Sequence, residues 1–394
     1  MFNYFKQLKV IDLSLLLPGP YCTMLLGDLG MEIIKVEDTR RGDDTRVNSR
    51  PIFNMVNRNK KSIALDLKQE AGREILRRLV AEADVFIEGF RPGVIDRLGF
   101  GYEQVKEINP QIVYCSLSGF GQTGPYKDRA GHDLNFLALS GMVGIPSHMD
   151  LPTTRPASRV ADLAGGLVAA FSILAALMET QYTKEGQYVD VAMTDILATW
   201  VGLVMPVLVK DGKALSSKES LIVMPGNDMF ETKEGKWLSL GLNEDKFWIN
   251  FLNCLQEEFP VLGLEQWKKP AERIRKKVEL HHLIKGIILS KPNSYWEEVF
   301  SSQDIPWAPV NNAVEVMEDP HLMARQIFQE WNNPETGEKE RHVRFPVLFS
   351  TPLHENHTLA PALGQNTEEI LQGLHYQPLD IEKLRQIKAV GNQS

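Results

Sequence analysis

The chain has 394 residues, too many for one ordinary hydrophobic core, so two domains are expected. Its 43% hydrophobic and 24% charged residues are the make-up of a folded globular protein, not of a disordered one. A formal net charge of -8 argues against a general nucleic-acid binder, which needs surplus Lys and Arg, but leaves room for a small phosphorylated ligand held by a few local cations.

The opening Met1–Leu8 alternates apolar and polar residues and lacks the apolar run of a signal peptide. No uninterrupted apolar run reaches 18 residues, and Pro18 breaks the stretch Leu13–Leu17. The three cysteines, Cys22, Cys115 and Cys254, have no metal-site spacing and read as reduced thiols. A cytoplasmic protein with no metal and no membrane span is the expectation.

Strand and helix patterns alternate from the start. Leu8–Leu13 reads as a strand, Pro18-Gly19-Pro20 opens a helix over Tyr21–Leu29 that Gly30 stops, and Glu32–Val36 reads as the next strand. A polar, basic loop is expected over Glu37–Lys61, then a strand over Ser62–Leu67 and an amphipathic helix over Gln69–Ala81. Asp84–Glu88 and Gln111–Leu117 read as further strands, with a helix starting at Gly93–Leu98. Val160–Glu179 is a helix so apolar around its circumference that full burial is expected, and Gln187–Met193 is one more strand. This alternation predicts a parallel sheet with helical crossovers, whose ligands sit beyond the carboxyl ends of the strands. A hairpin is expected at Met229–Thr232 and Trp237–Leu240, then lysine-rich helices to about Phe300, and a helix near Thr367–Leu374. The expected division is a large α/β domain over 1–200, a linker over 201–226, a small α+β domain over 227–325, and a segment over 326–394 returning to the large domain. No G-x-G-x-x-G follows the first strand, so a dinucleotide-binding dehydrogenase is set aside.

An ordered set of short motifs runs almost the whole length. Val10-Ile11-Asp12, Pro18-Gly19-Pro20-Tyr21-Cys22 and Leu26-Gly27-Asp28-Leu29-Gly30 come first. Asn57-Arg58-Asn59-Lys60-Lys61-Ser62-Ile63, Glu88-Gly89-Phe90-Arg91-Pro92-Gly93 and Ser118-Gly119-Phe120-Gly121-Gln122-Thr123-Gly124-Pro125-Tyr126 follow. Ala308-Pro309-Val310-Asn311, Asp319-Pro320-His321 and Leu363-Gly364-Gln365-Asn366-Thr367 close the series. Each is weak alone. Together they resemble the family III CoA-transferases of the CaiB/BaiF type, a group that also contains the α-methylacyl-CoA racemases. The resemblance implies a Rossmann-like large domain, a coenzyme A thioester as substrate with no permanently bound cofactor, and an interlocked homodimer.

It also implies that Leu65, Lys68, Gly89, Phe90, Arg91 and Arg97 contact the nucleotide end of CoA. On charge alone, Arg58 and Lys60, in a basic loop taken to lie at the carboxyl edge of the sheet, are candidates for phosphate pairing. A solvated, charged surface is the plain alternative for all of these. The family has Arg after the Val-Glu strand, where this chain has Asp38, leaving Arg40 or Arg41 to reach the phosphate.

The catalytic candidates are Asp162, His132 and Glu244. Asp162 stands in the first turn of the long apolar helix, where a carboxylate caps, pairs or works. By resemblance it occupies the catalytic position. His132, in Gly131-His132-Asp133, resembles the racemases, as does Glu244, although a lone histidine is usually structural and Glu244 also reads as an acid at a helix start capped by Asn243. A racemase would use His132 and Asp162 as an acid/base pair across the α-carbon, with Glu244 orienting the imidazole and free N–H groups of the helix start holding the enolate. A transferase would use Asp162 as a nucleophile that ends up carrying CoA. The racemase is the leading expectation, although Ser158 and Asn227 replace the racemases' Asn and Tyr. A CoA-binding protein without catalysis is the third reading. Met142 and Met149, in Gly141–Met149, are candidates for the acyl side.

Overall fold

The computed structural model describes residues 3–151, 155–333, 337–351, 353 and 357–391. The chain forms two compact units: Met1–Ser140, Pro156–Thr199 and Arg325–Ser394 make the first, and Gly141–Arg155 with Trp200–Ala324 the second.

In the first unit the apolar runs become β1 (Lys9–Asp12), β2 (Glu32–Glu37), β3 (Lys60–Ala64), β4 (Val85–Glu88), β5 (Val113–Ser118) and β6 (Tyr188–Ala192). They form one sheet in the order β3-β2-β1-β4-β5-β6. Every neighbouring pair is parallel, with Ile11 opposite both Ile34 and Phe86. Covered on both faces, the central strands can be apolar throughout, which is why they read as runs and not as alternations. The crossovers are α1 (Pro18–Asp28), α2 (Glu70–Ala81) and α3 (Tyr102–Ile108), followed by α4 (Asp133–Leu139), α5 (Val160–Thr183) and α6 (Met193–Leu208). Proline at the first turn of α1 suits its fixed φ, and Gly30, at φ +113°, turns the chain back toward β2. α2 buries Ile75, Leu76, Leu79 and Val80 in one core with Ile34, Ile63 and Phe86.

Two expectations change. The segment read as a loop over Glu37–Lys61 carries short helices at Thr45–Asn48 and Arg50–Val56. α5 is not buried all round: its small face, Ala164, Gly165, Gly166 and Ala169, packs inward, while Leu167, Phe171, Met178 and Tyr182 are 53%, 71%, 75% and 88% exposed. By length and composition α5 could cross a bilayer, yet 56% of its most apolar window is buried inside this protein.

The second unit has a three-stranded antiparallel sheet, β7 (Asn227–Glu231), β8 (Trp237–Gly241) and β9 (Trp307–Pro309), in the order β9-β8-β7. Helices α7 (Asp245–Leu255), α8 (Lys277–Leu289) and α9 (Asn293–Ser301) complete a core around Trp248, Phe251, Trp267, Trp296 and Phe300. Met149 is buried in this unit, its N–H donating to Asp228 at 3.0 Å, while His148 Nδ1 lies 2.8 Å from the same carboxylate.

The chain then forms a hairpin of β10 (Phe328–Asn332) and β11 (Lys339–Val343), followed by α10 (Thr367–Gly373) and α11 (Pro378–Gln386) in the first unit. Asn366 Oδ1 accepts from the Ser62 N–H at 3.1 Å and Ser62 Oγ from the Gly364 N–H at 3.0 Å, stitching the tail to β3.

Candidate active site

The loops leaving the carboxyl ends of β1, β4 and β5 enclose a cavity of about 650 Å³ in the first unit. Its walls come from Ser14–Gly19, from Gly89–Pro92 and from Leu117–Phe120, joined by His132 and the start of α5.

The first wall is held by a buried charge network. Asp12 accepts from the Ser14 N–H at 2.9 Å, Ser14 Oγ at 2.5 Å, Thr23 Oγ1 at 2.6 Å and Lys60 Nζ at 3.2 Å. Burial opposes the charge on Asp12, but Lys60, Lys35 and the two hydroxyls outweigh it and hold the carboxyl down at about 2. Lys35 Nζ donates to Ser14 O at 2.8 Å and pairs with Asp43 at 3.1 Å, and Asp43 accepts from the N–H of Leu16, a residue at φ +66°. The loop is strained at Leu16, and four buried charges fix it in place.

The second wall carries Gly89, Phe90 and Arg91, set by Glu88, whose Oε2 accepts from the Phe90 N–H at 2.8 Å. Burial, against hydrogen bonds from Ser116 and Phe90, pushes the Glu88 carboxyl up to about 7.

Asp162 is the third residue of α5, 8% exposed, and lines the cavity. It does not cap its own helix. The N–H groups of Ala161 and Asp162 donate to Asp133 Oδ1 at 2.8 and 3.3 Å, Val160 N–H to Ser158 O, and Leu163 N–H to Arg159 O. The whole first turn is therefore satisfied without the Asp162 carboxylate. This also corrects the expectation of free N–H donors for an oxyanion at that helix start. Among the described residues none donates a hydrogen bond to the Asp162 carboxylate, and burial first, then the charge of Asp133, push it up to about 6 against the pull of Arg159. At neutral pH it is ionised, poorly solvated and basic, the state wanted in a nucleophile or a proton acceptor.

His132 precedes α4, is exposed, and lines the same cavity; its N–H donates to Asn135 Oδ1 at 3.0 Å. Arg159, Arg129 and Lys127 line the cavity as well, and of these Arg159 acts on the charge of Asp162. Sequence reasoning passed over these three and Asp133, because nothing local to a loop arginine or an acid at a helix start says which cavity it borders.

The remaining candidates lie elsewhere. Leu65 is 1% exposed, with its N–H on Glu37 O at 2.8 Å. Lys68 and Arg97 are exposed, Lys68 just past the carboxyl end of β3, where Arg40 and Lys68 both act on Asp66. Asp38 Oδ1 accepts from the N–H groups of Arg40 and Arg41, so it shapes the turn that displays those arginines. Arg58 and Lys60 need correction. They stand at the amino end of β3, not its carboxyl end, and both charges are engaged inside: Arg58 is 1% exposed and forks onto Asp28 at 2.5 and 3.0 Å, and Lys60 is 4% exposed on Asp12. Neither lines the cavity. Glu244, in the second unit, is exposed and is itself the residue that starts α7, in place of Asn243, with no side-chain cap bond. Among the described residues no group of three or more His, Cys, Asp or Glu side chains is arranged to hold a metal ion.

A parallel sheet with a desolvated carboxylate and several basic side chains on a cavity beyond its carboxyl edge defines an α/β protein with its candidate site at that edge. The chain belongs to CoA-transferase family III, whose model matches residues 5–367. It is 33% identical to the succinyl-CoA:glutarate CoA-transferase of Mus musculus, over 96% of this chain and 88% of that protein. It is 30% identical to the human alpha-methylacyl-CoA racemase, over 98% of this chain and 97% of that protein. A crystal structure of a CAIB/BAIF family protein from Brucella suis superposes with a TM-score of 0.79 at 29% identity, covering 93% of this chain and 98% of that one. The family's enzymes include transferases and a racemase, and this chain is an enzyme of one of those types.

Proposed function

We propose that this chain moves CoA between carboxylic acids, with Asp162 as the nucleophile. The observation that carries the reading is the cavity itself: Asp162, freed from capping, shares it with Arg159, Arg129 and Lys127. An acceptor acid arrives as an anion and needs cations; epimerising an apolar 2-methylacyl group does not. The chain's 33% identity to a succinyl-CoA:glutarate CoA-transferase supports the same choice, and a dicarboxylate fits three cations best.

In the first step an Asp162 oxygen attacks the thioester carbon and CoA thiolate leaves, forming a mixed anhydride. The thiolate then attacks the aspartyl carbonyl, the donor acid departs as carboxylate, and Asp162 carries CoA as a thioester. The acceptor carboxylate attacks that carbonyl, expels thiolate and forms a second anhydride. Thiolate attack on the acceptor's acyl carbon yields the new acyl-CoA and regenerates the Asp162 carboxylate. Gly89, Phe90 and Arg91, on the same cavity, would hold the pantetheine and nucleotide arm, with Lys68, Arg97 and Arg40 further along the sheet edge for its phosphates.

A second reading, α-proton removal and return, is favoured by one observation: His132 lines the cavity beside Asp162. Two assays in heavy water separate them. Succinyl-CoA with an acceptor acid should yield a new thioester, with no deuterium entering a 2-methylacyl-CoA, and Asp162→Asn should lose roughly 10³-fold or more of the transfer. Deuterium uptake without acceptor, and no transfer, would replace this reading with the second.

Leu167, Phe171, Met178 and Tyr182 form one exposed apolar stripe along α5. We extend the proposal to the assembly: a second copy of the chain covers this stripe, giving a homodimer.

A further inference from the structure

We propose that Asp133 is the positioning residue of this site: one buried carboxylate that fixes the backbone of Asp162, ties it to His132, and places a second negative charge beside the nucleophile. This rests on Asp162 being the nucleophile.

The geometry is specific. Asp133 is 6% exposed, and its Oδ1 receives the Ala161 N–H at 2.8 Å and the Asp162 N–H at 3.3 Å. It is also the first residue of α4, joined by one peptide bond to His132. The two cavity-lining groups, His132 and Asp162, are 30 residues apart in sequence, and Asp133 supplies side-chain hydrogen bonds between their segments. A shift of α5 at its first turn would move the Asp162 carboxylate with it.

An uncharged acceptor would cap α5 equally well, as Asn and Ser do at many helix starts. An aspartate adds something a cap does not need: a second negative charge beside an already desolvated carboxylate. Burial is the main cause that raises Asp162, Asp133 adds to it, and Arg159, the counter-charge on the same helix start, opposes both. The other charged or titratable groups on the cavity are His132, Lys127, Arg129 and Arg91. A more basic carboxylate is a better nucleophile toward the thioester, while its value of about 6 leaves it ionised at neutral pH.

The test is the pH profile of CoA transfer between pH 5 and 9 in Asp133→Asn, Asp133→Ser and Asp133→Ala, with Asp162→Asn alongside. Asn and Ser keep an acceptor for the two N–H groups and remove the charge. Their acid limb should move down by about one pH unit, because Asp162 then stays ionised to lower pH, and the plateau should fall severalfold. Alanine removes the tether too, and kcat should fall by roughly 10²-fold while KM for the acyl-CoA stays within about threefold. If Asn fails to fold, Ser carries the same test. An acid limb that coincides with wild type in the Asn or Ser variant, while Asp162→Asn is inactive, overturns the role of Asp133 alone. Full activity in Asp162→Asn overturns the nucleophile, and the inference with it.

Discussion

The approach of α5 to α1 sets where Asp162 stands, and Gly166→Ala probes it. A Cβ built on Gly166 would lie 2.4 Å from Pro18 O, 2.9 Å from a ring carbon of Tyr21 and 3.3 Å from Cys22 N. Side-chain carbons essentially never come within 3.0 Å of such atoms, so the first contact is short by 3.0 less 2.4, or 0.6 Å. Pro18 is the first residue of α1 and lines the cavity, so neither side can yield without moving a wall of the site. In an open helix, Gly→Ala stabilises by about 1 kcal/mol. Overpacking against backbone costs about 1–3 kcal/mol, so the substitution should come out destabilising or near neutral. Catalysis should suffer more, because a carboxylate displaced by several tenths of an ångström loses its line to the thioester carbon, with a fall in kcat approaching 10²-fold. Gly165→Ala is the internal control. Its Cβ meets Met193 Cγ at 2.6 Å, a side chain in place of the backbone, so α1 keeps its place; because Met193 is buried and lines the cavity, stability should fall by about 1–3 kcal/mol and kcat severalfold at most. Thermal unfolding and steady-state transfer assays on both variants read the difference. A Gly166→Ala protein with a raised melting temperature and unchanged kcat would refute the reasoning, since Pro18 could then move without consequence for Asp162.

Two further outcomes follow from buried charge and exposed apolar surface. Asp12, held at about 2, contributes stability that is fully present above its unfolded value near 4 and is lost as pH falls from there toward about 2. The contribution is on the order of 2 kcal/mol, Glu37, also lowered, adds in the same direction, and a thermal midpoint that stays flat between pH 5 and pH 2 would contradict this. Phe171→Asp puts a charge in the middle of the apolar stripe on α5, where the wild-type side chain is 71% exposed in the single chain. Sedimentation should show a wild-type dimer and a folded variant monomer; a wild-type monomer at micromolar concentration would remove the second copy from the proposal.

The four inner strands of the large sheet, β2, β1, β4 and β5, were legible because parallel strands covered on both faces leave largely apolar runs in sequence, while the edge strands β3 and β6 mix in polar residues and were read from shorter apolar stretches. The hairpin β10–β11 was not, because Phe328-Gln329-Glu330-Trp331-Asn332 and Lys339-Glu340-Arg341-His342-Val343 are mostly polar and carry no such run. The position of Arg58 and Lys60 was in fact legible: residues that precede a parallel strand lie at its amino end, away from the ligand edge. What sequence could not supply was their partners, since Arg58 meets Asp28 and Lys60 meets Asp12 across 30 and 48 residues of chain. The same distance hid the cap of α5. An aspartate in a first turn reads as its own cap until the structure brings in Asp133, and only then is Asp162 left over for chemistry.

A chain with a net charge of -8 presents cations to its cavity, and the hydrogen bonds explain how. Several of the segments that build the site are pinned by a carboxylate that accepts a backbone N–H. Asp12 holds Ser14, Asp43 holds Leu16 and Thr45, Glu88 holds Phe90, Asp190 holds Gln122, and Asp133 holds Ala161 and Asp162. In each of these segments the acid is used against the backbone, so its charge faces the peptide groups and shapes the loop. The basic side chains Arg91, Lys127, Arg129 and Arg159 are left to line the space the loops enclose. Asp162 is the exception among the residues lining the cavity, an acid with its backbone already held by another acid, which leaves its carboxylate free for the nucleophilic role proposed for it. Net charge therefore says little about the ligand of such a site; the number of carboxylates occupied by main-chain N–H groups says more.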